Sequence, residues 1–190
     1  MFILKKIYSF LTDTIQTILL AASVFLVIYI FLFRPFQVSG QSMFPNFRDR
    51  EYILTNLISL KFEPLKTGDV VVFKAPPPNA DKDFIKRVIG LPGDTVELKN
   101  GYVYLNNQKL DESAYLASSV RTYGGAFLAN NQKITVPPGH YFVLGDNRPE
   151  SSDSREWGYV SQSELIGKSF FVYWPASEMH IIKNPYSNSK

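Results

Sequence analysis

The 190-residue sequence predicts a mainly β protein, in which an antiparallel β-sheet domain follows one N-terminal transmembrane α-helix. Two observations support this fold class. Residues 14–33 contain no charged side chain, whereas after residue 35 short β-branched and aromatic runs alternate with Gly, Pro, Asn and Asp. The first pattern is typical of a membrane span and the second of antiparallel strands joined by turns. We therefore predict two domains, a cytoplasmic tip with an anchor helix over residues 1–34 and a β domain over residues 35–190.

The uncharged run 14–33 is long enough to cross a bilayer. At about 1.5 Å per helical residue it reaches roughly 30 Å, the thickness of the hydrocarbon layer. A buried core helix normally shows a polar stripe, and a cleavable signal peptide has a shorter apolar region that ends in small residues; neither feature is present here. Lys5 and Lys6 precede the run and Arg34 alone closely follows it, which favours an N-terminus on the inside and a β domain on the outside.

Turn residues delimit the strands that follow. Asn100-Gly101 stands between alternating apolar residues, which predicts a tight hairpin because both turn positions need positive φ. Two segments, residues 75–83 and 111–132, lack a sustained period, and their structure is left open. The predicted strands lie in residues 67–76, 84–110, 140–146 and 167–175.

The composition excludes several classes of chemistry. A net charge of +3 with scattered Lys and Arg residues is unlike a nucleic-acid binder, so we expect no nucleic-acid partner. The absence of cysteine excludes disulfides, thiolate catalysis and cysteine metal sites. With His140 and His180 as the only histidines, a histidine-rich metal site is also discarded, and we expect neither a metal nor a cofactor.

A candidate nucleophile, Ser42, follows the apolar run in the stretch SGQSMFP. A serine in such a loop is usually structural, and it becomes a nucleophile only beside a base. His140 is one candidate base, and with Asp146 or Asp153 it would complete a Ser-His-Asp triad. It directly follows a Pro-Pro-Gly turn, however, where a solvated histidine is the ordinary case.

Lys86 is the better candidate base because its neighbours in FIKRVIG are apolar. A lysine held there would lose hydration, which disfavours the ammonium and can lower its pKa enough to leave a neutral amine near pH 7. Strand alternation sends Lys86 and Arg87 to opposite faces, so we expect one to face the core and the other water. The alternation does not say which, and the alternative is that both are exposed cations on an edge strand.

Three blocks, SGQSMFP, KRVIGLPGD and GDNRPESSDSR, in this order after one apolar run, resemble the bacterial type I signal peptidases, the membrane-anchored Ser/Lys leader peptidases. The resemblance covers nearly the whole chain and implies their antiparallel β catalytic domain. It implies a serine endopeptidase that removes signal peptides without a cofactor, and whose partners are signal-peptide-bearing preproteins and the lipid bilayer. The implied location is the bacterial plasma membrane, with the N-terminus in the cytoplasm and the catalytic domain on the outer face; the sequence leaves a related organelle membrane open as the alternative.

The resemblance also assigns the two reacting groups. It implies that Ser42 is the nucleophile and Lys86 its general base, whereas eukaryotic and archaeal relatives carry a histidine at the position of Lys86. Ser151 corresponds to the family's serine whose hydroxyl bonds the catalytic lysine.

Further members of the GDNRPESSDSR block receive supporting roles from the same resemblance. Asp153 and Arg155 are implied to form an ion pair that braces the site, and Asp146 and Asn147 to shape the turn. A carboxylate close to the amine would raise its pKa, so we expect Asp153 to be engaged by Arg155 and held away from Lys86.

The oxyanion donors are less defined. Some members of the family have a serine two residues before the nucleophile, where this sequence has Gly40. We expect the backbone N–H of Ser42 to be one donor and a backbone group or water to be the second, and the spacing argues against Ser39.

The nucleophile is also close to the membrane exit along the chain. Ser42 lies nine residues past Phe33, so even a fully extended chain limits its reach to roughly 30 Å. Its apolar neighbours either dip into the lipid interface or fill the domain core, and the sequence leaves both readings open. These neighbours are Phe36, Met43, Phe44 and Phe47.

Two other functions remain as alternatives. One is a self-cleaving Ser/Lys protease of the repressor type, which normally carries a DNA-binding head that these residues do not show. The other is a catalytically inactive, membrane-tethered β module that binds exported chains.

Overall fold

A computed structural model describes residues 2–187, and the chain forms two compact units, Met1–Arg34 and Pro35–Lys190. The first unit is built on the helix α1 (Phe2–Leu32). This helix begins well before the uncharged run, because charged residues near a helix end do not interrupt its backbone hydrogen bonds. It ends shortly before Pro35, whose ring disfavours helical dihedrals at the preceding residue.

The apolar character of α1 agrees with the predicted N-terminal helix. Its segment Phe2–Val27 has the length and the mean hydropathy, 1.8, of a helix able to cross a membrane. Hydroxyl groups inside this segment donate to carbonyls one turn earlier, as Thr17 does to Asp13 at 2.8 Å and Ser23 to Leu19 at 2.8 Å. These polar groups are therefore satisfied within the helix, as an apolar environment requires.

The remainder of the described chain is mainly β, as predicted. Its two short α-helices are α2 (Ser59–Phe62) and α3 (Ser154–Trp157). The strands are β1 (Phe33–Gln37), β2 (Tyr52–Asn56), β3 (Val70–Lys74), β4 (Asp83–Gly90), β5 (Thr95–Lys99), β6 (Tyr102–Leu105), β7 (Gln108–Lys109), β8 (Lys133–Thr135), β9 (His140–Leu144), β10 (Val160–Ser161), β11 (Leu165–Trp174) and β12 (His180–Ile181).

Within residues 2–187 the strands form two sheets. The larger has the order β1-β2-β11-β3-β4-β9-β10, with β12 also paired to β11, and the smaller has the order β7-β6-β5-β8. The pairs from β2–β11 to β9–β10 and those of the smaller sheet are antiparallel. Asn100 and Gly101 have φ of 53° and 78°, which confirms the tight hairpin predicted between β5 and β6.

The packing of the loop after β1 shows which apolar neighbours of Ser42 lie in the domain core. Met43 and Phe47 are buried, with 1% and 2% of their surface exposed, and Phe36 packs against the same core cluster. Phe44 is different, because 47% of its surface is exposed. Three of the four apolar residues thus fill the core, and they anchor the loop that carries the serine.

Candidate active site

The β4 strand brings Lys86 to Ser42. It lies between β3 and β9 in the larger sheet, and Lys86 pairs with Val71 of β3. The loop after β1 passes over this part of the sheet, so that Lys86 Nζ lies 2.7 Å from Ser42 Oγ. Lys86 Nζ also donates to the carbonyl of Ile85 at 3.0 Å, and this second contact fixes the direction of the amine. The geometry allows the serine hydroxyl to donate to a neutral amine.

Burial makes the neutral amine accessible near neutral pH. Only 3% of the Lys86 surface is exposed, and desolvation lowers its pKa from 10.5 to about 8. The carboxylates of Asp153 and Asp146 act in the opposite direction and raise this pKa, but the loss of hydration is the larger effect. Lys86 thus combines the geometry and the protonation behaviour of a general base.

Arg87, on the opposite face of β4, is buried as well, with 3% of its surface exposed. Its guanidinium binds Asp146 through two contacts of 2.8 and 2.6 Å and donates to the carbonyl of Gly68 at 2.9 Å. The ring of Tyr115 covers it at 4.3 Å from the ring centroid. The expectation that one of Lys86 and Arg87 faces water is therefore wrong, because residues from the segment 111–132 close the second face of the sheet. The alternative that both are exposed cations is excluded too, since each side chain is buried.

Asp153 and Arg155 form an ion pair inside the domain. Arg155 Nε lies 2.8 Å from Asp153 Oδ1 and Arg155 Nη2 lies 2.9 Å from Oδ2, while Asp153 has no exposed surface. The carboxylate also accepts from the backbone N–H of Gly145 at 3.0 Å and from the backbone N–H of Arg155, which caps α3. The pair thereby joins the start of α3 to the turn after β9 and neutralises a charge near Lys86.

Asp146 and Asn147 connect this turn to the loop of the nucleophile. The backbone N–H of Asn147 donates to the carbonyl of Ser42 at 3.0 Å, and its side-chain amide donates to the carbonyl of Gln41 at 3.0 Å. Asp146 accepts from the amide of Asn46 at 2.9 Å in addition to binding Arg87. The turn therefore holds the backbone on which Ser42 stands.

Ser151 does not make the hydrogen bond that the resemblance implies. Its hydroxyl oxygen is buried and has no hydrogen-bond partner within residues 2–187, while Lys86 Nζ bonds Ser42 and Ile85 instead. The residue is nevertheless close to the site, since a Cβ atom at Gly145 would overlap both the Ser151 hydroxyl and the Ser42 carbonyl. The role of Ser151 stays a prediction.

His140 stands apart from this arrangement. It begins β9, whose other end, Leu144, pairs with Arg87, so it lies about 13 Å along the strand from that pair. Its ring nitrogen Nδ1 lies 3.0 Å from the carbonyl of Pro138. The carboxylates of Asp146 and Asp153 thus bind arginines and not a histidine.

One backbone donor at the nucleophile is available for a developing oxyanion. The N–H of Ser42 makes no hydrogen bond with any of the described residues. The N–H of Gly40 is already occupied, since it donates to Asp49 Oδ1 at 2.8 Å. Gly40 itself has φ of 87°, a conformation that favours glycine.

A cleft of about 440 Å³ opens beside the two reacting groups. Its walls are formed by residues 36–42 and 83–86, with Ile53 and Val72 between them and Glu150 and Ser152 from a third segment. Residues Asp83–Lys86 of β4 are extended and pair with β3 alone among the described strands, so their other edge can receive a peptide as an added strand. The cleft therefore suits an extended polypeptide whose carbonyl carbon reaches Ser42.

Arg148 is a residue of the site that sequence reasoning missed. It is buried, its Nε donates to the carbonyl of Gly145 at 3.0 Å, and its guanidinium binds Glu112 and Thr122. It thereby ties the segment 111–132 to the turn beside Ser42. In the sequence, a buried arginine with distant partners cannot be distinguished from a solvated one. The position of Arg148 in a block of alternating charges was the one signal of its role.

Comparison with known proteins identifies a family for this chain. A family model described as "Signal peptidase, peptidase S26" matches residues 11–174, which include Ser42, Lys86 and the turn at 145–155. Signal peptidase IB of Staphylococcus aureus (strain MRSA252) is 37% identical over 187 residues, covering 91% of this chain and 96% of that protein. Signal peptidase I of Bacillus caldolyticus is 38% identical over 152 residues, covering 77% of this chain and 82% of that protein. A crystal structure of a signal peptidase I from Enterococcus faecalis V583 superimposes with a TM-score of 0.46 and 31% identity, over 56% of this chain and 97% of that one.

Proposed function

Because the chain belongs to the signal peptidase family, peptidase S26, we propose that it removes signal peptides from exported preproteins with Ser42 as nucleophile and Lys86 as general base. Family membership makes it a serine endopeptidase. The observation that carries the assignment of the two residues is the 2.7 Å contact between Lys86 Nζ and Ser42 Oγ inside a peptide-sized cleft.

In the acylation step, neutral Lys86 accepts the proton of Ser42 while Oγ attacks the carbonyl carbon at the cleavage site. The negative charge that develops on the carbonyl oxygen is stabilised by the N–H of Ser42, which has no other partner among the described residues. The Lys86 ammonium then gives its proton to the leaving amine, and the mature protein departs. An ester between Ser42 and the signal peptide remains.

In the deacylation step, Lys86 is neutral again and takes a proton from a water molecule that attacks the ester. The protonated amine returns that proton to Ser42 Oγ as the signal peptide leaves. This cycle needs an amine that loses and regains one proton near neutral pH, which a pKa of about 8 supports. The ion pairs of Asp146 with Arg87 and of Asp153 with Arg155 limit the stabilisation that these carboxylates give to the ammonium.

We further propose that α1 anchors the enzyme in the membrane. The span-like segment Phe2–Val27 and the internally satisfied hydroxyls of α1 support this role. In this assignment residues 1–34 form the cytoplasmic tip and anchor, and residues 35–190 form the catalytic domain on the outer face of a bacterial plasma membrane. An anchored enzyme meets preproteins whose own apolar signal segment is still in the bilayer.

The test is cleavage of a preprotein by the full-length chain in detergent. We expect the wild type to release the mature protein, and Ser42→Ala and Lys86→Ala to lose at least about a thousandfold in rate, as loss of a nucleophile or its base does in serine proteases. Ser163→Ala and Lys82→Ala are the matched controls, an exposed serine and an exposed lysine outside the cleft, and they should stay active. Equal cleavage by all five proteins would refute the dyad.

The same assay separates the two alternatives. An inactive binding module would retain the preprotein without cutting it. A self-cleaving protease would fragment at a rate independent of its concentration, and Ser42→Ala would abolish that fragmentation.

A further inference from the structure

The segment 148–152 forms one wall of the cleft. Residues Arg148–Glu150 make a single 3-10 turn, after which Ser151 is extended. Glu150 and Ser152 line the cleft of about 440 Å³, whereas Pro149 and Ser151 line a separate cavity of about 680 Å³. This alternation directs the side of the segment that carries Glu150 toward the cleft that holds Ser42 and Lys86.

Glu150 lies at the cutting end of the cleft. Its backbone N–H donates to the carbonyl of Asn147 at 3.1 Å, and Asn147 binds the carbonyls of Gln41 and Ser42. Arg155 holds the same turn from behind by donating to the carbonyl of Arg148 at 2.7 Å. The backbone that carries Glu150 is therefore tied to the nucleophile on one side and to a buried ion pair on the other.

The charged residues that line the cleft carry a net negative charge when Lys86 is neutral. They are Asp83, Lys86 and Glu150. Asp83 pairs with Lys74 at 2.6 Å, whereas the carboxylate of Glu150 has no ion pair or hydrogen bond within the described chain. Lys86 must be neutral to act as a base, so its charge does not offset Glu150 at that moment. One uncompensated negative charge then remains beside the cleavage point.

We propose that Glu150 is a specificity-determining residue that favours a basic residue, and disfavours an acidic one, just after the cleavage point of the preprotein. The part of the substrate before the cut lies between the walls 36–42 and 83–86, which end at Ser42 and Lys86. Glu150 belongs to neither of these two walls. Its turn is connected through Asn147 to the end of the cleft that holds Ser42, where the mature chain leaves. The inference deepens the proposed function and rests on it.

The expected effect is modest because Glu150 is exposed. Two unit charges about 7 Å apart in water change an equilibrium about threefold, so substrates that differ by lysine against glutamate should differ about sevenfold in kcat/KM. The ratio should shrink toward one as salt is raised to about 1 M, where the screening length falls to about 3 Å.

The experiment compares three preproteins that differ only in the second residue after the cut, which is lysine, glutamine or glutamate. The full-length chain cleaves them in competition in detergent, and kcat/KM ratios are taken within each variant so that any general loss of activity cancels. We expect a lysine-to-glutamate ratio of about seven for the wild type, about one for Glu150→Gln and an inverted ratio for Glu150→Lys. Glu63→Gln, which removes an exposed glutamate outside the cleft, is the matched control and should keep the wild-type ratio.

Three results would overturn the inference. The wild-type ratio is close to one, or it is unchanged in Glu150→Gln, or the preference appears only for charges placed before the cut. In each case the glutamine substrate is still cleaved, so the proposed function stands while the role of Glu150 falls. Failure of the wild type to cleave any of the three would instead overturn the proposed function and this inference with it.

Discussion

The base assignment predicts how activity depends on pH. Desolvation lowers the pKa of Lys86 from 10.5 to about 8, and only the deprotonated amine can accept the proton of Ser42. Activity should therefore fall as pH decreases through about 8, with a slope of one proton. A lysine of ordinary pKa would place that fall more than two pH units higher.

The magnitude follows from the fraction of neutral amine. With a pKa of about 8, about 10% of Lys86 is neutral at pH 7, against about 0.03% for a pKa of 10.5. Burial thus raises the reactive fraction roughly 300-fold at neutral pH. We expect kcat/KM to drop roughly tenfold from pH 7 to pH 6 and to rise roughly tenfold from pH 7 to pH 9.

The assay is preprotein cleavage at constant ionic strength from pH 5 to pH 10, with kcat/KM as the readout. The profile of His140→Asn should match that of the wild type, because His140 lies apart from the site. Direct titration of Lys86 Nζ by ¹⁵N NMR in Ser42→Ala should give a pKa in the same range. A flat profile, a fall near pH 10, or a fall that His140→Asn abolishes would refute the reasoning.

Two further variants test the packing around the base. Lys86→Met should abolish cleavage yet raise the free energy of unfolding by up to about 3 kcal/mol at pH 7. The lowering of the Lys86 pKa from 10.5 to about 8 is a penalty on the folded state, which is full below pH 8 and relieved toward pH 10.5. Urea unfolding at pH 7 and pH 10.5 measures this gain, and an equal gain at both pH values would contradict the prediction. Gly145→Ala should lower kcat/KM about a hundredfold, because the added methyl group meets Ser151 and the Ser42 carbonyl and displaces the nucleophile. Gly167→Ala is as crowded but outside the site, so it should lose stability without that loss per folded molecule, and equal losses of activity in both would argue against a local effect.

Much of the fold could be predicted because its signals are local. The hairpin at Asn100-Gly101 depends on two dihedral angles, and the strands β3, β4, β9 and β11 each follow from an apolar run between turn residues. The start of α1 at Phe2 was not predicted, because the absence of charge indicates where a membrane span lies and not where a helix begins. Helical hydrogen bonding continues through Lys5, Lys6 and Asp13 regardless of their charge.

The contact of Lys86 with Ser42 was predicted partly from the chemistry of a desolvated lysine and partly from the family resemblance. An apolar strand environment indicates a desolvated lysine, but which serine it meets depends on contacts between residues 44 positions apart. The burial of Arg87 had no local signal at all, because Tyr115 and Asp146 cover it from distant segments. Burial on both faces of a strand is a tertiary property, and alternation alone describes only direction.

The neighbouring positions of Lys86 and Arg87 have a consequence for how the hairpin between β3 and β4 can change. Its connecting loop, residues 75–82, lies outside the ladder, so its length can vary without altering which side chains meet the serine. Deletion of one residue between Asp83 and Lys86 would instead move each later side chain of β4 one place back in the ladder and onto the other face of the sheet. The guanidinium of Arg87, which cannot release its proton in proteins, would then take the place of Lys86 beside Ser42, and Lys86 would turn to the other face of the sheet. The number of residues between Asp83 and Lys86 thus decides whether an amine or a guanidinium meets the serine.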